Sequence, residues 1–215
     1  SLTSMASARF STPGASGILR DMKSKKVRRL LAEALSAHRV VRVWRDLDDS
    51  AFTDGFIIEL ANDWVVMHVL DDGVYLDSLL MMRVRDISTV IDGHHGYIDR
   101  ALLGLGQSVA EFACPEDATV RDLVVASADL HPLSAFALGD EGEEQLMVGR
   151  LVKAGKNRVW HHFLRPDGTW AADVDRWRYE QISSIQIGGR YLEALAQFGD
   201  PYPADGPVAA PEFGR

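Results

Sequence analysis

Residues 55–73 read GFIIELANDWVVMHVLDDG, and residues 149–168 read GRLVKAGKNRVWHHFLRPDG. In both stretches a glycine opens a run, a three-residue turn follows, a β-branched and aromatic run comes next, and an Asp-Gly turn closes the stretch. Such turns between apolar runs are hairpin signals. Gly55 maps to Gly149 and His68 to His162 at an offset of 94, and Gly73 to Gly168 at 95. The correspondence extends in both directions. Upstream, VRRLLAEALSAH (27–38) matches VRDLVVASADLH (120–131) at 93; downstream, RVRDISTV (83–90) matches RYEQISSI (178–185) at 95. Coincidence can explain one pair but not an ordered set, so the chain is a tandem duplication.

Each copy has a physical reading. Val27, Leu30, Leu31, Ala34 and Leu35 recur at helical spacing, as do Val120, Leu123, Val124 and Ser127, with Thr119 placed to cap the second helix. Strands follow at 39–47, FIIEL, WVVMHVL, VYLDSLLMMRV and DISTVI in the first copy. LSAFAL, LMVGRLVKA, RVWHHFLR, TWAADVDRWRY and QISSIQI follow in the second. Short helices at 96–104 and 189–198 close the units, and Gly104-Leu105-Gly106 reads as a helix cap. The expected class is α+β, mainly β. Each unit is a helix plus a strongly bent five-stranded antiparallel sheet or small barrel. The expected boundaries are 1–20 for a disordered arm, 21–107 and 108–199 for the two units, and 200–215 for a proline-rich disordered tail.

This layout of helix, meander and final short strand, the last carried by DISTV and QISSI, resembles that of Sm-like or SH3-like small barrels over about 39–91 and 133–187. The resemblance implies RNA binding or assembly through strand edges. The Asp-x-x-Asn loop pattern of Sm-like proteins is replaced here by Ala61-Asn62-Asp63 and Gly155-Lys156-Asn157, so no RNA site is carried over.

Composition narrows the function. The chain of 215 residues has 47% hydrophobic content and a net charge of −8, which argues against a surface wholly devoted to nucleic acid. Residues 1–40 hold eight Lys or Arg against two acids, a net +6, leaving −14 for the remainder. The single Cys114 excludes an intrachain disulfide and a thiolate zinc site, and reads as a structural thiol. No apolar run reaches the length of a membrane span and no signal peptide is evident, so a cytoplasmic, non-membrane protein is expected.

Strand alternation puts Trp64, Val66, His68 and Leu70 on one face, matched by Arg158, Trp160, His162 and Leu164. His161 points the other way, so His161 and His162 cannot share a metal ion, and His68 and His162 read as repeated scaffold positions. The loop carrying His94 and His95, with Asp92 and Asp99 nearby, is the metal candidate, because imidazole and carboxylate suit zinc or another transition metal. Asp46, Asp48, Asp49 and Asp54 lack the calcium-loop pattern and read as a solvated acidic turn. No nucleophile elbow, phosphate loop or zinc-protease pair is present, and no cofactor is expected.

Three functions follow. The first is a non-enzymatic interaction or scaffold protein with a protein partner or self-association, suggested by strands rich in Trp and Met. The second is single-stranded RNA binding through Lys23, Lys25, Lys26, Arg28 and Arg29. The third is a metal-dependent hydrolase at 92–99.

Overall fold

The structure, a computed structural model, describes residues 13–46, 48–93, 96–139 and 145–207. The first unit comprises α1 (Pro13–Ala37), β1 (Val40–Arg45), β2 (Asp48–Ala61), β3 (Trp64–Asp71), β4 (Tyr75–Arg83), β5 (Ile87–Asp92) and α2 (Ile98–Leu105). The second comprises α3 (Val120–Leu130), β6 (Ser134–Leu138), β7 (Gln145–Ala154), β8 (Arg158–Leu164), β9 (Trp170–Arg178), β10 (Ile182–Gly188) and α4 (Gly189–Phe198). The duplication is therefore real in three dimensions, and the α+β class holds.

Three details differ from the sequence reading. Residues 200–207, expected in a disordered tail, pack on the second unit, with Trp170 Nε1 donating to the Asp200 carbonyl at 2.9 Å and Tyr202 lying against Trp170. Helix α1 begins at Pro13, inside the stretch expected as an arm, with proline at the one end of a helix where its missing N–H costs nothing. Of the acidic stretch read as a solvated turn, Asp46 is exposed in a turn, but Asp48, Asp49 and Asp54 belong to β2. Asp54 is buried there, where the Arg42 guanidinium donates to both of its carboxylate oxygens at 2.7 and 2.8 Å. A bidentate partner across the strand pair lets a carboxylate enter the sheet.

Every strand pairing is antiparallel, in the order β5-β1-β2-β3-β4-β10-β6-β7-β8-β9. Neither unit closes into a barrel, because β4 takes its second neighbour from the other unit. Register shifts recur at equivalent places: Ile57/Glu59 and Leu151/Lys153, then His68/Leu70 and His162/Leu164. Bulges add local twist, and their repetition bends both units alike. Gly55 and Gly149 occupy another shared position. A Cβ on Gly55 would meet Met67 Cγ at 2.8 Å, and one on Gly149 would meet His161 Cε1 at 2.8 Å, as well as the carbonyls of His68 and His162.

Each unit's first helix is tied to the turn between its second and third strands. Arg28 donates to the Asn62 carbonyl, and Arg121 Nε donates to the Gly155 carbonyl at 3.2 Å. Thr119 caps α3, its amide donating to Asp122 Oδ2 at 2.9 Å, while Gly106 ends α2 in the left-handed region at φ 66°.

The two cores are built differently. The first unit's main core, Val27, Leu31, Val43, Ile57, Met67 and Met82 among others, draws only on residues of that unit. The second unit's core gathers Leu123, Val124, Phe136, Val159, Ile182 and Ile185, and it also takes in Trp64, Val66 and Met81 from the outer face of β3 and β4. Those three enter because β10 pairs with β4, setting Ile185 opposite Met81 and Ile187 opposite Leu79. The Arg83 guanidinium reinforces the seam, donating to the carbonyls of Tyr179 and Glu180 at 2.9 Å and lying 5.5 Å from the Trp64 ring centroid.

Candidate functional site

The adjacent histidines of β8 point to opposite sides of the sheet. His161 is fully buried, with Nε2 3.3 Å from Ser134 Oγ and the ring 4.4 Å from that of Phe136 and 5.6 Å from that of Trp177. Burial among these rings holds its pKa down to about 3, so the imidazole is neutral. His162 donates from Nε2 to the Ala171 carbonyl at 2.7 Å and packs against Trp170 and Tyr202. His68, at the corresponding place in β3, is buried and accepts the Ala110 amide at Nδ1, 2.9 Å away. Burial lowers its pKa too, against the pull of Asp77. All three rings are occupied in holding strands and connections together. The Nδ1 atoms of His161 and His162 have no hydrogen-bond partner among the described residues.

His94 and His95 lie outside the described residues. Asp92 ends β5 and accepts from Arg39 at 2.5 Å, whereas Asp99 stands in the first turn of α2. Both line one shallow cleft with His38, Arg39 and Phe56. Among the described residues, no three His, Cys, Asp or Glu side chains converge as a metal site.

The basic segment of α1 is largely engaged with its own chain. Lys23 pairs with Asp46 at 2.8 Å, Arg29 with Glu33 at 3.2 Å, and Arg28 holds the Asn62 carbonyl. Lys25, Arg28 and Arg29 line an open cleft of about 630 Å³ together with Glu59, Cys114 and Glu116, so the cations there face acids. Burial and the Glu59 and Asp122 charges push the Cys114 thiol up to about 11, consistent with an inert structural thiol.

Lys153, Lys156 and Arg158 cluster in the sequence of the second unit, and strand pairing adds Arg176 and Arg178 to Lys153 and Arg158 to make a wider cationic surface. On the outer face of β7–β9, Trp160 stands opposite Lys153 on one side and Arg176 on the other, and Arg158 stands opposite Arg178. The equivalent face of the first unit bears Trp64, Val66 and Met81 and is buried at the seam. The signal was available in the repeat alignment, as an exchange of apolar residues for cations at matched positions.

Among the described residues, no helix is long and apolar enough to cross a membrane. The chain matches no family model, no curated protein and no solved structure.

Proposed function

We propose that this protein is a non-enzymatic interaction or scaffold protein whose two units, of Sm-like layout, take a partner chain by strand addition at an open sheet edge. The observation that carries this reading is the seam itself. The fourth strand of one unit pairs with the fifth strand of the other over Ser78–Met82 and Ser184–Gly188, and among the described residues the sheet ends on an unpaired fifth strand, β5, and an unpaired fourth strand, β9. An unpaired edge presents a row of backbone donors and acceptors, a template that an extended segment completes. Ile91 on β5 is 43% exposed, an apolar contact that a partner strand would cover. The packed imidazoles and the inert Cys114 thiol agree with a role in binding rather than in turnover.

Light scattering at several protein concentrations, paired with affinity capture from a lysate, tests the reading. Self-association or specific capture that Ile91→Lys weakens is the expected result, since a lysine on an edge strand opposes pairing. A strict monomer that retains no partner overturns it.

A further inference from the structure

We infer that the outer face of β7–β9 is a binding surface for single-stranded nucleic acid, centred on Trp160. Register places five side chains on this face. Lys153 and Arg176 stand opposite Trp160, and Arg158 and Arg178 stand opposite one another on neighbouring strands. Lys153, Arg176 and Arg178 are exposed, and Arg158 and Trp160 are half-buried. The Lys153 ammonium lies 5.1 Å from the centroid of the Trp160 ring, and that ring packs over Gly155, where a Cβ would come within 2.7 Å of it. Glycine therefore lets the indole lie down on the β7–β8 turn.

Three physical features mark the face as built for an anion. First, Arg158 directly opposite Arg178 is an unfavourable cross-strand pair, and no described acid forms an ion pair with Lys153, Arg158, Arg176 or Arg178. Asp173 and Asp175 do lie on β9, but Asp175 stands opposite His161 and belongs to the other face. Second, the matched positions of the first unit show what a purely structural face needs. Trp64, Val66 and Met81 pack into the core there, and Arg158, Trp160 and Arg176 take their places here. Third, the same exchange disfavours a second copy repeating the seam at this end: α3 meets the seam with Leu123, Val124 and Ser127, and their counterparts in α1, the apolar Leu30, Leu31 and Ala34, would be set against Arg158 and Arg176.

The shape of the patch selects among anions. A strand added at the edge of β9 would reach Arg176 and Arg178, but Lys153 is two strands further in, roughly 10 Å away. The cations thus ring an aromatic side chain on the face rather than follow the edge. A tryptophan that stacks a base, with cations placed for the flanking phosphates, matches single-stranded nucleic acid better than an acidic protein segment. This surface is independent of the edge reading above, since it uses side chains of the face and not free backbone groups.

The test is fluorescence anisotropy of the full chain with fluorescein-labelled 15-nucleotide oligo(U) and oligo(dT) at 50 and 200 mM NaCl. Saturable binding is expected, falling with salt at a log–log slope of about −3 for four phosphate contacts. Trp160→Ala should weaken it about tenfold and Trp160→Phe much less, as a stacking role requires. The double variant Arg158→Glu/Arg176→Glu should weaken it by about 100-fold at 50 mM salt. Both positions are on the surface, and a thermal melt of each variant checks the fold. Lys26→Glu and Ile91→Lys should bind as the parent does, which keeps this inference separable from the α1 segment and from edge pairing. No binding at 50 mM salt overturns the proposal. So does loss in Lys26→Glu with retention in the double variant, which would move the site to α1. Displacement of the oligonucleotide by poly-glutamate at equal charge concentration also overturns it, in favour of an acidic protein partner.

Discussion

Replacing His161 by methionine, the residue at the matched position 67, should remove much of this protein's sensitivity to mild acid. His161 is fully buried and its pKa is held from 6.5 down to about 3. Above pH 6.5 the imidazole is neutral whether the chain is folded or not, and the proton contributes nothing. As the pH falls below 6.5 the unfolded chain binds a proton that the folded chain refuses. Stability is then lost at about 1.4 kcal/mol per pH unit until the folded pKa is reached. Between pH 6.5 and 5 the loss is about 2 kcal/mol, a substantial part of the 5–15 kcal/mol that holds a typical domain folded. Asp175 stands opposite His161, and its own pKa is raised by burial and by Asp173, so it offers no fixed counter-charge at the acid end. Asp122 and Asp167 are held low by Thr119 and Thr169 and titrate below this window. His68 shares the direction of shift but is present in both proteins, so the difference between them isolates His161. Urea unfolding at pH 7.5, 6.5, 5.5 and 5.0 is the assay. The parent midpoint should fall by roughly 1 M across the series for a slope of about 2 kcal/mol per molar, and His161→Met should fall markedly less. Equal falls in the two proteins would refute the reasoning.

Other perturbations have defined outcomes. Gly149→Ala and Gly55→Ala should each destabilise by about 1–3 kcal/mol in thermal melts, because the new methyl meets backbone across the strand pair as well as a side chain. Similar losses at the two sites would reflect their shared role. Met81→Arg, which copies position 176, should cost more than about 3 kcal/mol by burying a charge at the seam, and should lower the melting temperature by several degrees. Thr119→Ala should cost about 1 kcal/mol through the lost cap, with little change elsewhere in the amide spectrum. With its pKa pushed up to about 11, the Cys114 thiol should react with a disulfide reagent at pH 8 far more slowly than free cysteine, and in urea it should react as fast.

The elements were legible in the sequence because periodicity, turn chemistry and duplication reported the same unit. The Asp-Gly turns, the Thr119 cap and the Gly106 helix end all stand where local chemistry put them. How the units join was not legible. The β4–β10 pairing depends on which strand edges are left free, and the apolar runs at 79–82 and 182–187 read equally well as interior or edge strands. The burial of Asp54 was not legible because it depends on Arg42, a partner on another strand. The basic segment of α1 drew attention through its density in the sequence. The Arg29–Glu33 pair, four residues apart on one helix, is local, but engagement with Asp46 and the Asn62 carbonyl needs the fold. The cations around Trp160 are spread over three strands, so only pairing brings them together.

The unequal ownership of the two cores sets a direction for biosynthesis. Because the first unit's main core uses none of the second unit's residues, the first unit is expected to fold before the second has been made. The later half is different, since Trp64, Val66 and Met81 complete its interior and β4 borders its closing strand. It is therefore expected to condense on a finished template. Until it does, the nascent chain carries an uncovered apolar flank along β4, a hazard that a pause between residues 107 and 187 would prolong. A fragment of residues 1–107 should melt cooperatively and tend to aggregate, whereas residues 108–215 alone should show no cooperative melt.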